Sequence, residues 1–138
     1  MKELARKYYL QGYNCAEAIL RAGNEFYNLN MDENSMRLAA AFGGGMQVGD
    51  ICGALSGACM VVSLKYVETK AHDQASELRT ITTKLIRAFQ NHFASRVCAK
   101  IKVNFFDPEV KCLNTVSDAA VVLEKVIKEY DEELLRNF

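Results

Sequence analysis

Cysteines are the residues of this chain with the most evident capacity for chemistry. There are five, and none belongs to a C-x-x-C pair, so the spacing typical of zinc knuckles and thioredoxin-like motifs is absent. A site shared by several cysteines must therefore be assembled by the tertiary fold. An odd number of cysteines in a reducing compartment favours metal binding, redox chemistry or simple burial over a disulfide framework. They are Cys15, Cys52, Cys59, Cys98 and Cys112.

Two of the cysteines are predicted at the starts of helices. Asn14 is a typical N-cap, and Glu17 three residues later completes a capping box, which puts Cys15 at the first helical position. Asp50 is the next predicted N-cap, with Cys52 at the second position of its helix. The free amide groups and the positive dipole end of a helix favour a thiolate, so we expect a lowered thiol pKa at both places.

The sequence "CGALSGAC" also holds small residues that serve packing. Gly53 and Gly57 lie beside the apolar stripe of the predicted helix and allow another backbone to approach closely. We expect that neighbour to be the element that carries Cys15. Cys59 lies two turns inside the helix, away from its positive end, and is interpreted as a core residue.

Apolar residues recur at spacings of three and four along most of the chain, the pattern of amphipathic helices. This predicts one all-α domain over residues 1–138, a bundle of five or six helices. Residues 98–114 remain open between a helix end and an extended piece, and Asp107-Pro108 breaks that segment. Helices are predicted near 2–11, 15–28, 35–42, 51–67, 73–95 and 117–135.

Composition and charge exclude some classes of function. Seventeen basic and seventeen acidic residues give a net charge of zero, so there is no general attraction to nucleic acid or anionic membranes. The longest apolar run, Ile51 to Leu64, is too short for a membrane span, and the first residues lack the apolar core of a signal peptide. A cytoplasmic protein is expected.

Four of the cysteines, with their surroundings, also form a recognisable pattern. The stretches "GYNCAEAIL", "FGGGMQVGDICGALSGA", "FASRVC" and "VKCLNTVSDAAVVLEKVI" resemble the C_GCAxxG_C_C family of redox-active proteins. That resemblance implies redox activity or metal binding at Cys15, Cys52, Cys98 and Cys112. Cys59 falls outside the pattern.

Four hypotheses follow. The first is an iron–sulfur cluster held by the four cysteines, for electron transfer with a redox partner protein. The second is thiol–disulfide exchange, in which Cys15 or Cys52 attacks and a neighbouring cysteine resolves. The third is a tetrahedral zinc site with the four cysteines as ligands. The fourth is an interaction module without a cofactor, whose last helix "VVLEKVIKEYDEELL" forms a homodimer through a second apolar face.

Overall fold

The computed structural model describes residues 1–137, and these contain seven α-helices and no β-strand. The all-α class is confirmed, but the number of helices exceeds the predicted five or six. The difference arises partly in residues 98–114, where a short helix precedes the turn at Pro108. The prediction of a single domain stays a prediction. The helices are α1 (Lys2–Leu10), α2 (Cys15–Phe26), α3 (Glu33–Met36), α4 (Gly53–Tyr66), α5 (Ala75–Phe93), α6 (Cys98–Phe105) and α7 (Leu113–Arg136).

The start of α2 is fixed by the predicted capping box. The Asn14 side chain accepts a hydrogen bond from Glu17 N at 3.0 Å, and Asn14 N donates to Glu17 Oε1 at 3.1 Å. The Asn14 amide also donates to the carbonyl of Ala40 at 2.8 Å. The Asn14 cap therefore provides hydrogen-bond partners for free backbone groups at the start of α2. It also joins this helix start to the segment that leads towards α4.

The connection from α3 to α4 folds tightly. A 3₁₀ segment, Arg37–Phe42, ends at Gly43, and the backbone then turns left-handed from Gly44 to Gln47. Met46 and Gln47 are not glycines, yet their φ angles are 55° and 65°. Each such residue costs about 1–2 kcal/mol, so surrounding contacts must stabilise the turn.

The predicted cap of α4 is wrong. Asp50 does not cap the helix, because residues 50–52 are extended and pair with residues 96–98. Cys98 N donates to Asp50 O at 2.6 Å, and Cys52 N donates to Arg96 O at 2.8 Å. The helix can begin only after this pairing ends, so Cys52 itself is the N-cap and Gly53 the first helical residue.

The predicted start of α7 is also wrong, by four residues. The chain breaks at Asp107-Pro108 as expected, but a tight turn closes at once: Asp107 and Lys111 exchange two backbone hydrogen bonds, of 3.0 and 2.6 Å. Helix α7 begins directly after this turn. Cys112 is therefore the N-cap of α7, which begins at Leu113 and not near Ser117.

Helices α2 and α4 cross at close range because small residues face each other. A Cβ atom on Gly57 would lie 2.6 Å from the carbonyl oxygen of Ala16, and one on Gly23 would lie 2.4 Å from a Val61 methyl group. The longer helices α5 and α7 bury most of their predicted apolar stripes against each other and against α4. Across residues 1–137, the described helices include none with the length and hydropathy needed to cross a bilayer.

We predict that Gly57→Ala destabilises the protein. Alanine is the better helix former by about 1 kcal/mol, but its Cβ would collide with the Ala16 carbonyl. Overpacking of this kind costs about 1–3 kcal/mol, so the net change is a loss. Denaturant unfolding followed by circular dichroism measures it. Ser63→Ala, at an exposed position of the same helix, is the control. Equal or greater stability of Gly57→Ala would contradict the close contact.

Candidate redox site of four cysteines

Each of the four cysteines stands at the amino-terminal end of a different helix. Cys15 is the first residue of α2 and Cys98 the first of α6, while Cys52 and Cys112 are the N-caps of α4 and α7. Cys59 lies inside α4 and occupies no helix start. Free amide groups and a positive dipole end thus accompany all four.

The contact between α2 and α4 brings the first two of these helix starts together. A Cβ atom on Gly53 would lie only 2.5 Å from the Cys15 sulfur and 2.8 Å from the Phe42 carbonyl oxygen. The sulfur of Cys15 therefore rests on the backbone of the first residue of α4, directly beside Cys52. Any side chain at position 53 would displace it.

Cys98 is brought in by the extended pairing of residues 50–52 with 96–98. The bond from Cys98 N to Asp50 O sets the start of α6 next to the start of α4. The left-handed turn closes over the same place, since a Cβ on Gly45 would lie 2.7 Å from the Cys98 Cβ. Cys15, Cys52 and Cys98 are all buried, with exposed fractions of 7, 4 and 5 %.

The fourth cysteine is held by a residue that the sequence patterns do not indicate. Cys112 N donates a hydrogen bond to the hydroxyl of Tyr9, on α1, at 3.0 Å. Cys112 is half-buried and so is more accessible than the other three. The two residues are 103 positions apart, and no local motif connects them.

The electrostatics of the thiols show which cysteines are neighbours. Besides burial, Cys15 raises the pKa of Cys52, of Cys98 and of Cys112. Cys98 acts in the same way on Cys52 and Cys112. The pKa of Cys59 is raised by burial alone, with no contribution from another cysteine. The four cysteines thus form one coupled group, and Cys59 lies outside it.

Burial outweighs the helix start in setting the pKa of Cys52. Loss of solvent raises this pKa to about 12, while the nearby amides of Ala54 and Leu55 oppose the rise only in part. The expectation of a lowered pKa at this position is therefore wrong for the free thiol. Free amides do lie beside this thiol at the helix start, but they cannot replace the water that the thiolate would lose.

The exposed side chain of Lys102 partly offsets the effect of burial on the pKa of two of these thiols. Burial raises the pKa of Cys98 and Cys112, and the charge of Lys102 on α6 lowers both in part. The nearby hydroxyl of Tyr9 lowers the pKa of Cys112 further. Cys112 thus combines the greatest accessibility of the four with two groups that favour its thiolate.

Within residues 1–137, no three Cys, His, Asp or Glu side chains are arranged to hold a single metal ion. Three thiolates on one zinc ion must each lie about 2.3 Å from it, which forces the sulfurs close together. The cysteines here are near enough to couple electrostatically but do not form such a compact shell.

Comparison with known proteins identifies the pattern. Residues 13–126 match the model of a family described as "Putative redox-active protein (C_GCAxxG_C_C)". The chain belongs to this family. No curated protein and no solved structure matches it. All four cysteines of the C_GCAxxG_C_C pattern lie inside the matched range, and Tyr9 lies outside it.

We predict that Cys112 is the first of the four thiols to be alkylated in the metal-free protein. At pH 8 a thiol with a pKa near 12 carries a thiolate fraction of about 10⁻⁴, so Cys52 reacts slowly. Iodoacetamide labelling of the native Cys59→Ser protein, followed by mass spectrometry, measures the order. Labelling in denaturant, where the thiols react alike, is the control. Faster labelling of Cys52 than of Cys112 would contradict this picture.

The raised pKa of Cys52 also predicts a loss of stability in alkali. The unfolded thiol ionises near pH 9 and the folded one near pH 12, so the stabilisation is complete below pH 9 and disappears as pH rises towards 12. At pH 10.5 the loss from this group is about 2 kcal/mol. Reversible unfolding with denaturant at pH 8 and 10.5 measures the loss, and Cys52→Ser should show less of it. Equal losses in both proteins would contradict the shift.

Proposed function

We propose that this chain is an electron-transfer protein in which Cys15, Cys52, Cys98 and Cys112 hold an iron–sulfur cluster. The observation that carries the proposal is the coupling of four thiols at four helix starts, with Cys59 excluded. Four cysteine thiolates suffice for either common cluster type. A cluster contains several metal atoms, so its ligands stand farther apart than those of a single ion.

The groups around the four cysteines can stabilise the negative charge of a bound cluster. Four helix starts direct amide groups and positive dipole ends towards one region, and such ends stabilise negative charge. The amides of Ala54 and Leu55 already lie close enough to the Cys52 thiol to lower its pKa. Hydrogen bonds to the sulfurs of a cluster are among the features that set its potential.

Burial raises the pKa of Cys52, Cys98 and Cys112, which keeps these three thiols protonated until a cationic centre binds. Without metal, Lys102 is the one cation identified as lowering the pKa of these described thiols, and it is exposed. Binding metal would displace the protons, as is usual for thiolate ligands. A bound cluster would supply one-electron redox chemistry, with a redox partner protein as donor or acceptor. A reducing compartment such as the cytoplasm suits such a site.

Thiol–disulfide exchange is a second candidate, and Cys112 favours it. This thiol is half-buried and has Lys102 and Tyr9 to stabilise its thiolate. It would therefore be the attacking group, in place of Cys15 or Cys52, and a coupled neighbour such as Cys15 would resolve the mixed disulfide. The strongly raised pKa of Cys52 makes that residue unsuitable as the nucleophile.

The remaining alternative, a dimerising helix, receives less support. The predicted stripe of α7 is used inside the chain, and its exposed large apolar residues are Val121, Leu134 and Leu135. Val121 and Leu134 are separated by about 20 Å along the helix axis. They do not form the continuous second face that a helical dimer needs. The homodimer stays an untested prediction.

The test is metal analysis of matched variants. We expect protein purified without oxygen, or reconstituted with ferrous iron and sulfide, to contain iron and acid-labile sulfide in equal amounts. Cys52→Ser should abolish this binding, and Cys59→Ser should retain it, because only the first removes a ligand. Circular dichroism should show nearly unchanged helicity in both.

Other outcomes would each contradict the cluster in a definite way. One zinc per chain and no sulfide would favour the structural metal site. No metal, together with a Cys112-dependent reaction with a disulfide reagent, would favour exchange. A loss of stability in Cys52→Ser with iron binding retained would make Cys52 a packing residue.

A further inference from the structure

Tyr9 is joined to the cysteine site although it lies outside the matched family range. Its hydroxyl oxygen accepts the hydrogen bond from Cys112 N at 3.0 Å. That amide belongs to the N-cap residue of α7, which has no side-chain cap of its own. The tyrosine therefore satisfies a backbone donor where the longest helix begins.

The same hydroxyl has a second use. Its oxygen accepts from the amide, which leaves its own O–H to be donated, and the hydroxyl lies close enough to the Cys112 thiol to lower the pKa of that thiol. Cys15 is also close enough to Tyr9 to interact with it electrostatically. One phenol thus bonds to the backbone of Cys112 and lies near two thiols of the group, those of Cys112 and Cys15.

We propose that Tyr9 is a positioning residue of the redox site: its hydroxyl anchors Cys112 at the start of α7 and donates a hydrogen bond to the Cys112 sulfur. This inference rests on the proposed function in one respect, the identity of the group whose potential is tuned. A donor to a ligand sulfur stabilises the reduced, more electron-rich form, so it raises the reduction potential. The interaction belongs to α1 of this chain, outside residues 13–126.

The neighbouring residue provides a matched control. Tyr8 is on the same helix, but its hydroxyl donates to Glu25 Oε1 at 2.7 Å and makes no hydrogen bond with a cysteine. Tyr8→Phe and Tyr9→Phe each remove a single oxygen atom from adjacent positions. They differ in whether the lost hydroxyl meets the cysteine site.

Two measurements test the proposal. In the metal-free protein, hydrogen exchange at the Cys112 amide, followed by NMR, should be about 2- to 10-fold faster in Tyr9→Phe, the effect of one lost hydrogen bond. In the reconstituted protein, the midpoint potential of Tyr9→Phe should move to a more negative value with the iron content retained. Tyr8→Phe should leave both unchanged.

The two readouts separate the possible failures. A wild-type protein that binds no iron would refute the cluster but leave the exchange measurement, and an unchanged rate at Cys112 would then refute the anchoring role. If iron binds and the potential of Tyr9→Phe equals that of the wild type, the tuning role is wrong even if exchange is faster. Loss of iron from Tyr9→Phe with unchanged helicity would support the placement of Tyr9 in the site.

Discussion

The whole site depends on the close backbone contact between α2 and α4. At Gly57 and Gly53 there is no room for even a single carbon between the helices. The second of these contacts lies where both helices begin, so it places Cys15 against the residue that follows Cys52. The other two cysteines then reach the same region through an extended pairing and a hydrogen bond from α1. With larger residues in place of these glycines, the starts of α2 and α4 would move apart. Cys98 and Cys112 would then no longer lie beside both Cys15 and Cys52.

Two opposing effects, the helix dipole and burial, determine whether the thiols are protonated. Helix starts favour a thiolate by roughly 0.3–1 kcal/mol each at exposed positions, and up to about 2 in partly buried ones. The rise of the Cys52 pKa from 9.0 to about 12 corresponds to roughly 4 kcal/mol in the other direction. Burial therefore prevails in the free protein. A metal centre would reverse this balance because it brings positive charge into the buried region, where the amides would then add to its effect.

Local signals predicted some parts of this arrangement well and others not at all. The capping box at Asn14 depends on residues three positions apart, so the start of α2 could be read from the sequence. The start of α4 could not, because Asp50 is engaged by Cys98, which is distant in the chain. The cap of α7 was missed since the turn that sets it depends on backbone bonds between Asp107 and Lys111. The all-α class followed from periodicity, whereas the role of Tyr9 depends on a contact across 103 positions.

Cys59 shows that position and not residue type selects the members of the group. It shares α4 with Cys52, and burial raises the pKa of both. Yet it lies within the helix, where the backbone carbonyls and amides bond to each other and none remains for a thiolate. Its own carbonyl accepts a hydrogen bond from the Ser63 hydroxyl at 2.9 Å, an ordinary contact along a helix. Seven residues along one helix thus separate a cysteine beside free amides and other thiols from one with neither. For this reason we assign the proposed redox chemistry to the four cysteines of the pattern and not to all five.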